Sequence, residues 1–99
     1  MTFKVGDTVT WTSQSHGSTK TKVGVVIHIV PKKMQLIDVI DKEALEYYNT
    51  SAIRDSYYAY RYNYAVYRNH ESYLVAVSSS EKGKPKLYWP LVNKLRLVE

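Results

Sequence analysis

Residues 3–12 read FKVGDTVTWT, and they decide the fold class. Gly6-Asp7 is a turn pair, after which Val9 and Trp11 alternate with Thr8, Thr10 and Thr12, the period-two pattern of a half-buried strand. A second apolar run, VGVVIHIV at 23–30, is rich in β-branched residues and stops at Pro31, which cannot donate to a ladder. The intervening SQSHGSTKTK (13–22) is polar and carries a glycine, so it reads as a loop or hairpin tip.

Further along, ESYLVAVSSS (71–80) predicts a third strand, with Tyr73, Val75 and Val77 on one face and Leu74 and Ala76 on the other. SSSEKGKPK (78–86) is a turn with a basic tip. LYW (87–89) is a short fourth strand ended by Pro90. LVNKLRLVE (91–99) closes the chain, with Leu95 and Leu97 alternating in a last strand after a tight or 3₁₀ turn. The apolar strand positions Val9, Trp11, Val25, Ile27, Tyr73, Val75, Leu87 and Trp89 are the expected core. Between the second and third strands the pattern changes. Asp41 can cap a helix, Glu43 and Glu46 suit its positive end, and Leu45, Tyr48 and Ala52 share a face, which predicts a helix over about 42–53.

The 99 residues suit one domain with one core, and 44% hydrophobic against 23% charged residues is the balance of a globular chain. With no cysteine there are no disulfides or cysteine zinc sites, as a reducing cytosol favours. Lys4 and Asp7 break any early apolar run and the run 23–30 is too short to cross a bilayer, so the expectation is a cytoplasmic protein without a membrane partner. The net charge of +5 is unevenly spread. Lys4, Lys20, Lys22, Lys32 and Lys33 face only Asp7 before residue 38, whereas Asp38, Asp41, Glu43, Glu46 and Asp55 outnumber Lys42 and Arg54 in the next segment. A basic surface favours polyanions or an acidic protein face.

The order FKVGDTVTW, GVVIHIV, YLVAV, LYWPLVNKLRLV resembles SH3-like small barrels of the Tudor and KOW type, and KVGVV, RNHESYLV and LYWPLVNKLR further resemble small bacterial and phage proteins. The resemblance covers about 3–32 and 68–97. It implies a mainly β, SH3-like barrel of about five strands, filling 1–99 as a single domain, with an α-containing, Tyr-rich insertion at about 33–67. It also implies a module of phage or mobile-element type, and it supplies no activity.

The residues themselves point away from catalysis. His16, His28 and His70 are not at metal-ligand spacing with one another or with a carboxylate, and His70 and Glu71, as strand neighbours, point to opposite faces. His28 reads as core-facing and His70 as structural. Ser78, Ser79 and Ser80 lack the context of a nucleophile, and no glycine-rich phosphate loop occurs. The expectation is no enzyme, no cofactor, no metal and no small-molecule substrate.

Binding is the expected class. Lys20 and Lys22 in one loop, and Lys82, Lys84 and Lys86 in another, can form a phosphate-attracting patch; the plain alternative is that they solvate turns. SYYAYRYNYAVYRNH (56–70) places Tyr58, Tyr60, Tyr62 and Tyr64 at alternate positions. As a strand, it could stack bases on these rings while Arg61 and Arg68 meet phosphates. The same rings could dock a protein, or pack against the insertion's own helix, with Tyr48 and Tyr67 the expected structural members. The partner is therefore nucleic acid, or alternatively an acidic protein surface, as for an inhibitor of a bacterial nucleic-acid-targeting defence effector such as a CRISPR–Cas complex.

Overall fold

The computed structural model describes residues 2–15, 17–59, 66–78 and 83–98. His16, Tyr60, Arg61, Tyr62, Tyr64, Ser79, Ser80 and Lys82, all singled out above, lie outside the described residues.

Five antiparallel strands form one sheet: β1 (Thr8–Ser15), β2 (Ser18–Val30), β3 (Ser72–Val77), β4 (Lys86–Tyr88) and β5 (Arg96–Leu97), in the order β4-β3-β2-β1-β5. The Gly6-Asp7 turn starts it. Gly6 has φ +96°, which a side chain would resist, and the Asp7 carboxylate accepts the Lys4 N–H at 2.9 Å. Both turn residues are pinned to β2, since Gly6 N–H donates to the Val26 carbonyl and Val26 N–H donates to that of Asp7.

Residues 13–22, expected as a loop or hairpin tip, are the end of a hairpin whose two arms are strand. β1 and β2 pair from Thr8↔Val25 to Ser15↔Ser18, with Gly17 at φ +79° in the turn. Alternating Thr and Lys in STKTK is a pleat pattern as much as a loop composition, and β-branched threonines tip it to strand.

β2 also departs from simple alternation. Val26 pairs with Val75 and His28 with Leu74, so Ile27 is an extra residue at a bulge. The slip changes parity along β2: Val26 packs with Trp11 and Tyr73 on one face, and Val30 packs with Leu74 on the other. His28, half-buried, therefore pairs opposite Leu74 rather than sharing a face with Val26. Val25, expected in the core, is 42% exposed, because Gly24 and Val26 are the buried neighbours in that stretch. Ile27 and Trp89 are only partly buried, whereas Val9, Trp11, Tyr73, Val75 and Leu87 are core as expected.

β3 is buried on both faces. Tyr73 and Val75 join Phe3, Val9, Trp11, Val26 and Leu95 in one cluster. Leu74 joins Val30, Leu36, Ile40, Leu45, Ile53, Tyr57 and Leu87 in the other, most of which comes from the insertion. The insertion is thus a second layer over the sheet, and its buried apolar residues are what hold it there.

Of the helix expected over 42–53 only α1 (Lys42–Leu45) forms, and a second short helix, α2 (Arg54–Tyr57), begins just past its expected end. Asp41 caps α1, accepting the Ala44 N–H at 2.7 Å. The helix then gives way because Asn49 pairs with the edge of β4, its N–H donating to the Pro85 carbonyl and its carbonyl accepting from Leu87. The Asn49 side chain turns the chain by accepting the Ser51 N–H. A 3₁₀ turn at Val92–Lys94 leads into β5.

The sheet is open. β4 and β5 are its two edges, and among the described residues no ladder joins them, so a closed barrel is not what the ladders form. It is nonetheless strongly curled: Trp11 of β1 and Tyr88 of β4 meet edge-to-face with ring centroids 5.6 Å apart, although β2 and β3 separate them in the ladder. Gly24 lets β2 and β3 approach closely. A Cβ there would lie 2.5 Å from the Ala76 carbonyl oxygen and 2.7 Å from a Val75 methyl.

Candidate nucleic-acid interface

None of the five strands contains an acidic residue, and the sequence has none between Asp7 and Asp38. Five of the nine acids, Asp38, Asp41, Glu43, Glu46 and Asp55, fall in the insertion that covers the opposite layer. The sheet therefore carries only cations: Lys20 and Lys22 on β2, Lys86 on β4 and Arg96 on β5.

Three of these share the concave face. Lys22 pairs with Trp11 and Lys20 with Ser13, and residues two apart on a strand face the same way. Lys86 and Tyr88 likewise share a face of β4, opposite Val77 and Val75. The Lys22 ammonium lies 4.9 Å from the centroid of the Tyr88 ring, and that of Lys86 lies 5.4 Å from it. The Tyr88 ring is itself held by the edge contact with Trp11. Each cation–π contact contributes about 0.5–1 kcal/mol at a solvent-accessible site, enough to gather two ammonium groups that would otherwise repel. A phosphodiester arriving between them would replace that repulsion with two attractions. Along the free side of β1, where β5 ends, a groove of about 460 Å³ is lined by Thr10, Thr12, Thr21, Asn93, Lys94 and Arg96 together with Trp11. It also contains no acid.

The other predicted site residues lie elsewhere. Lys84 is exposed, and its ammonium donates to the Glu46 carbonyl at 2.6 Å, beside the groove between α1 and α2. Tyr58 is half-buried against the insertion's cluster, edge-on to Tyr57 at 5.0 Å. Tyr57 is 3% exposed, and its hydroxyl donates to the Ile40 carbonyl. Arg68 is engaged inside the fold, donating to the carbonyls of Trp89 and Pro90. Burial pushes its guanidinium pKa down from the ordinary value. Tyr48 packs on the insertion's cluster as expected, but Tyr67, expected to pack, is half exposed. His70 is exposed beside Leu91 and Leu95.

Tyr88, Lys94 and Arg96 had no role in the sequence reading. The signal for Tyr88 was present in the spacing Lys86-Leu87-Tyr88, which puts ring and ammonium on one face once the segment is a strand.

No protein-family model, curated protein or solved structure matches the chain. Among the described residues no group of three or more metal-ligating side chains occurs, and no helix is long and apolar enough to cross a membrane.

Proposed function

We propose that this chain is a non-catalytic, nucleic-acid-binding module, cytoplasmic and of phage or mobile-element type. Its contacts are Lys22 and Lys86 around Tyr88, with Lys20 on the same face, extended by Lys94 and Arg96. One observation carries this: two lysines from non-adjacent strands converge on a single tyrosine ring, on a sheet without any acid. Structural lysines on a β-protein normally scatter along edges, where they discourage aggregation. Converged cations beside an accessible ring suit a phosphate backbone, with the ring free to stack a base once the ammonium groups turn to phosphate. We also propose that the fold is of the SH3-like small-barrel kind, which is supported by a last strand that returns to the first and a sheet curled until Trp11 touches Tyr88.

A labelled 20-nucleotide DNA at low salt tests the proposal by gel retardation. Binding that vanishes with moderate salt supports it, and no retardation of any DNA or RNA at low salt defeats it. An inhibitor docking on an acidic protein would use the same cations; a pull-down that survives nuclease treatment would favour that alternative.

A further inference from the structure

The hairpin that joins β1 to β2 outruns the rest of the sheet. β5 pairs with β1 only at Val9 and Thr10, and β3 pairs with β2 only from Val25 onward. From Trp11↔Lys22 to Ser15↔Ser18 the two strands have no other ladder partner, over five paired rows. The first two rows still touch the body, Trp11 and Lys22 at Tyr88 and Thr12 and Thr21 in the groove with Asn93 and Lys94. At about 3.4 Å per residue the ribbon therefore stands roughly 10 Å clear of it. Thr12, Gln14, Ser18, Thr19, Lys20 and Thr21 are all exposed.

Burial does not account for this ribbon. Between Trp11 and Val23 it has no apolar side chain, and an isolated two-stranded ribbon is marginal in water. Apart from His16, its side-chain chemistry is uniform: hydroxyls, an amide and ammonium groups, with no carboxylate. Thr12 pairs with Thr21 and Gln14 with Thr19, which puts three threonines and an amide on one face. Ser13 pairs with Lys20 on the other. Cations flank its root on both sides, Lys22 and Lys86 at Tyr88 and Lys94 and Arg96 along the edge of β1.

We infer that this ribbon is an arm that enters the major groove of duplex DNA, with the Gln14–Thr19 row toward the base edges and the root cations on the bordering phosphates. The inference rests on the nucleic-acid reading above. A B-form major groove is about 12 Å wide and about 8.5 Å deep and admits a two-stranded ribbon, so an arm of this length reaches its floor before the body meets the backbone. Glutamine presents the paired donor and acceptor that adenine offers there, and hydroxyls suit any base edge. A-form RNA is excluded by the same geometry, since its major groove is deep and too narrow to enter.

Fluorescence anisotropy with a mixed-sequence 20-base-pair DNA duplex, the matching RNA duplex and the single DNA strand tests the arm. In one variant residues 13–20 are replaced by Asn-Gly, so that Thr12 and Thr21 flank a two-residue turn. Retained melting temperature and circular dichroism confirm that its body folds. A second variant keeps the arm but carries Gln14→Ala and Thr19→Ala. The wild type should prefer DNA duplex over RNA duplex and protect guanine N7 from methylation. Shortening should weaken duplex DNA binding roughly thirtyfold and the double substitution roughly tenfold or more. Lys20→Gln alone, and the single strand with any of these variants, should change only a few-fold. A shortened protein that still binds duplex DNA like the wild type, or an RNA duplex bound as tightly as DNA, overturns the arm while leaving the polyanion reading intact. Absence of binding to all three probes overturns both.

Discussion

The Arg68 guanidinium carbon lies over the Trp89 indole, 4.0 Å from its centroid, and the group also donates to the Trp89 carbonyl at 2.7 Å and the Pro90 carbonyl at 2.8 Å. The indole N–H in turn donates to the buried Ser72 hydroxyl at 2.8 Å. One residue after the insertion thus fastens the exit of β4 to the start of β3. Arg68→Ala should cost about 2 kcal/mol or more, from charge-assisted hydrogen bonds and a partly desolvated cation–π contact. Arg68→Lys should recover less than half of that, because an ammonium cannot stack and reach two carbonyls together. Urea midpoints measure both; a fully stable lysine variant would show that only the charge matters.

Adjacent positions in β2 should respond in opposite ways. Gly24→Ala pushes a methyl into the Ala76 carbonyl, a backbone group that cannot swing aside, and should cost about 2–3 kcal/mol. Val25 is 42% exposed, so Val25→Asp should leave the protein folded, at a cost of about 1 kcal/mol for lost strand propensity. Thermal melts of the two variants decide this, and an unfolded Val25→Asp protein would contradict the register.

Tyr73 links stability to alkaline pH. Its hydroxyl accepts the buried Phe3 N–H at 3.1 Å and donates to the Glu71 carboxylate at 3.0 Å. Burial, chiefly, and Glu71 raise its pKa above the ordinary value of 10.0 despite the opposing Phe3 hydrogen bond. The folded state then holds this proton more tightly than the unfolded state. Its contribution is complete below pH 10 and is lost as pH climbs from there through the raised folded value. Denaturant midpoints should accordingly fall above about pH 10. Tyr73→Phe should cost about 1–2 kcal/mol at neutral pH, by leaving the Phe3 N–H without its acceptor, and should flatten the alkaline fall. An unchanged alkaline fall in that variant would assign it to other tyrosines.

The strands were legible because their signals are local: Gly6-Asp7 before an alternating run, and Tyr73, Val75 and Val77 against Leu74 and Ala76. What was not legible depended on partners far along the chain. Nothing near Ile27 announces a bulge, which is visible only in the pairing with β3, and Val25 was misplaced because its pairing with Thr8 puts it on the face away from Val9 and Val26. The break in the expected helix has the same origin, since Asn49 leaves α1 to pair with a strand edge 37 residues away at Lys86. The tyrosine-rich segment drew attention by composition, yet Tyr57 and Tyr58, its first described rings, serve the insertion's core. Lys20 and Lys22 were placed in a loop, which hid their shared face with Trp11 and the convergence of Lys22 with Lys86 on Tyr88.

That convergence sets the final prediction. Each phosphate neutralised on duplex DNA contributes about 0.9 to the slope of log affinity against log salt. Lys22→Gln with Lys86→Gln should therefore make the slope shallower by about 1.8, without lowering the melting temperature by more than a few degrees, since each cation–π contact is worth only about 0.5–1 kcal/mol. Tyr88→Phe keeps the ring and should keep the slope. Tyr88→Ala releases both ammonium groups from one position and should weaken binding at every salt concentration, because the cations must then be ordered by the ligand itself. Lys84→Gln is the internal control. Its ammonium is directed at the Glu46 carbonyl, on the insertion's side of the molecule, and the slope should barely move. Equal effects of Lys84→Gln and Lys22→Gln would mean that net charge alone attracts the polyanion and that the Tyr88 cluster has no special part in holding it.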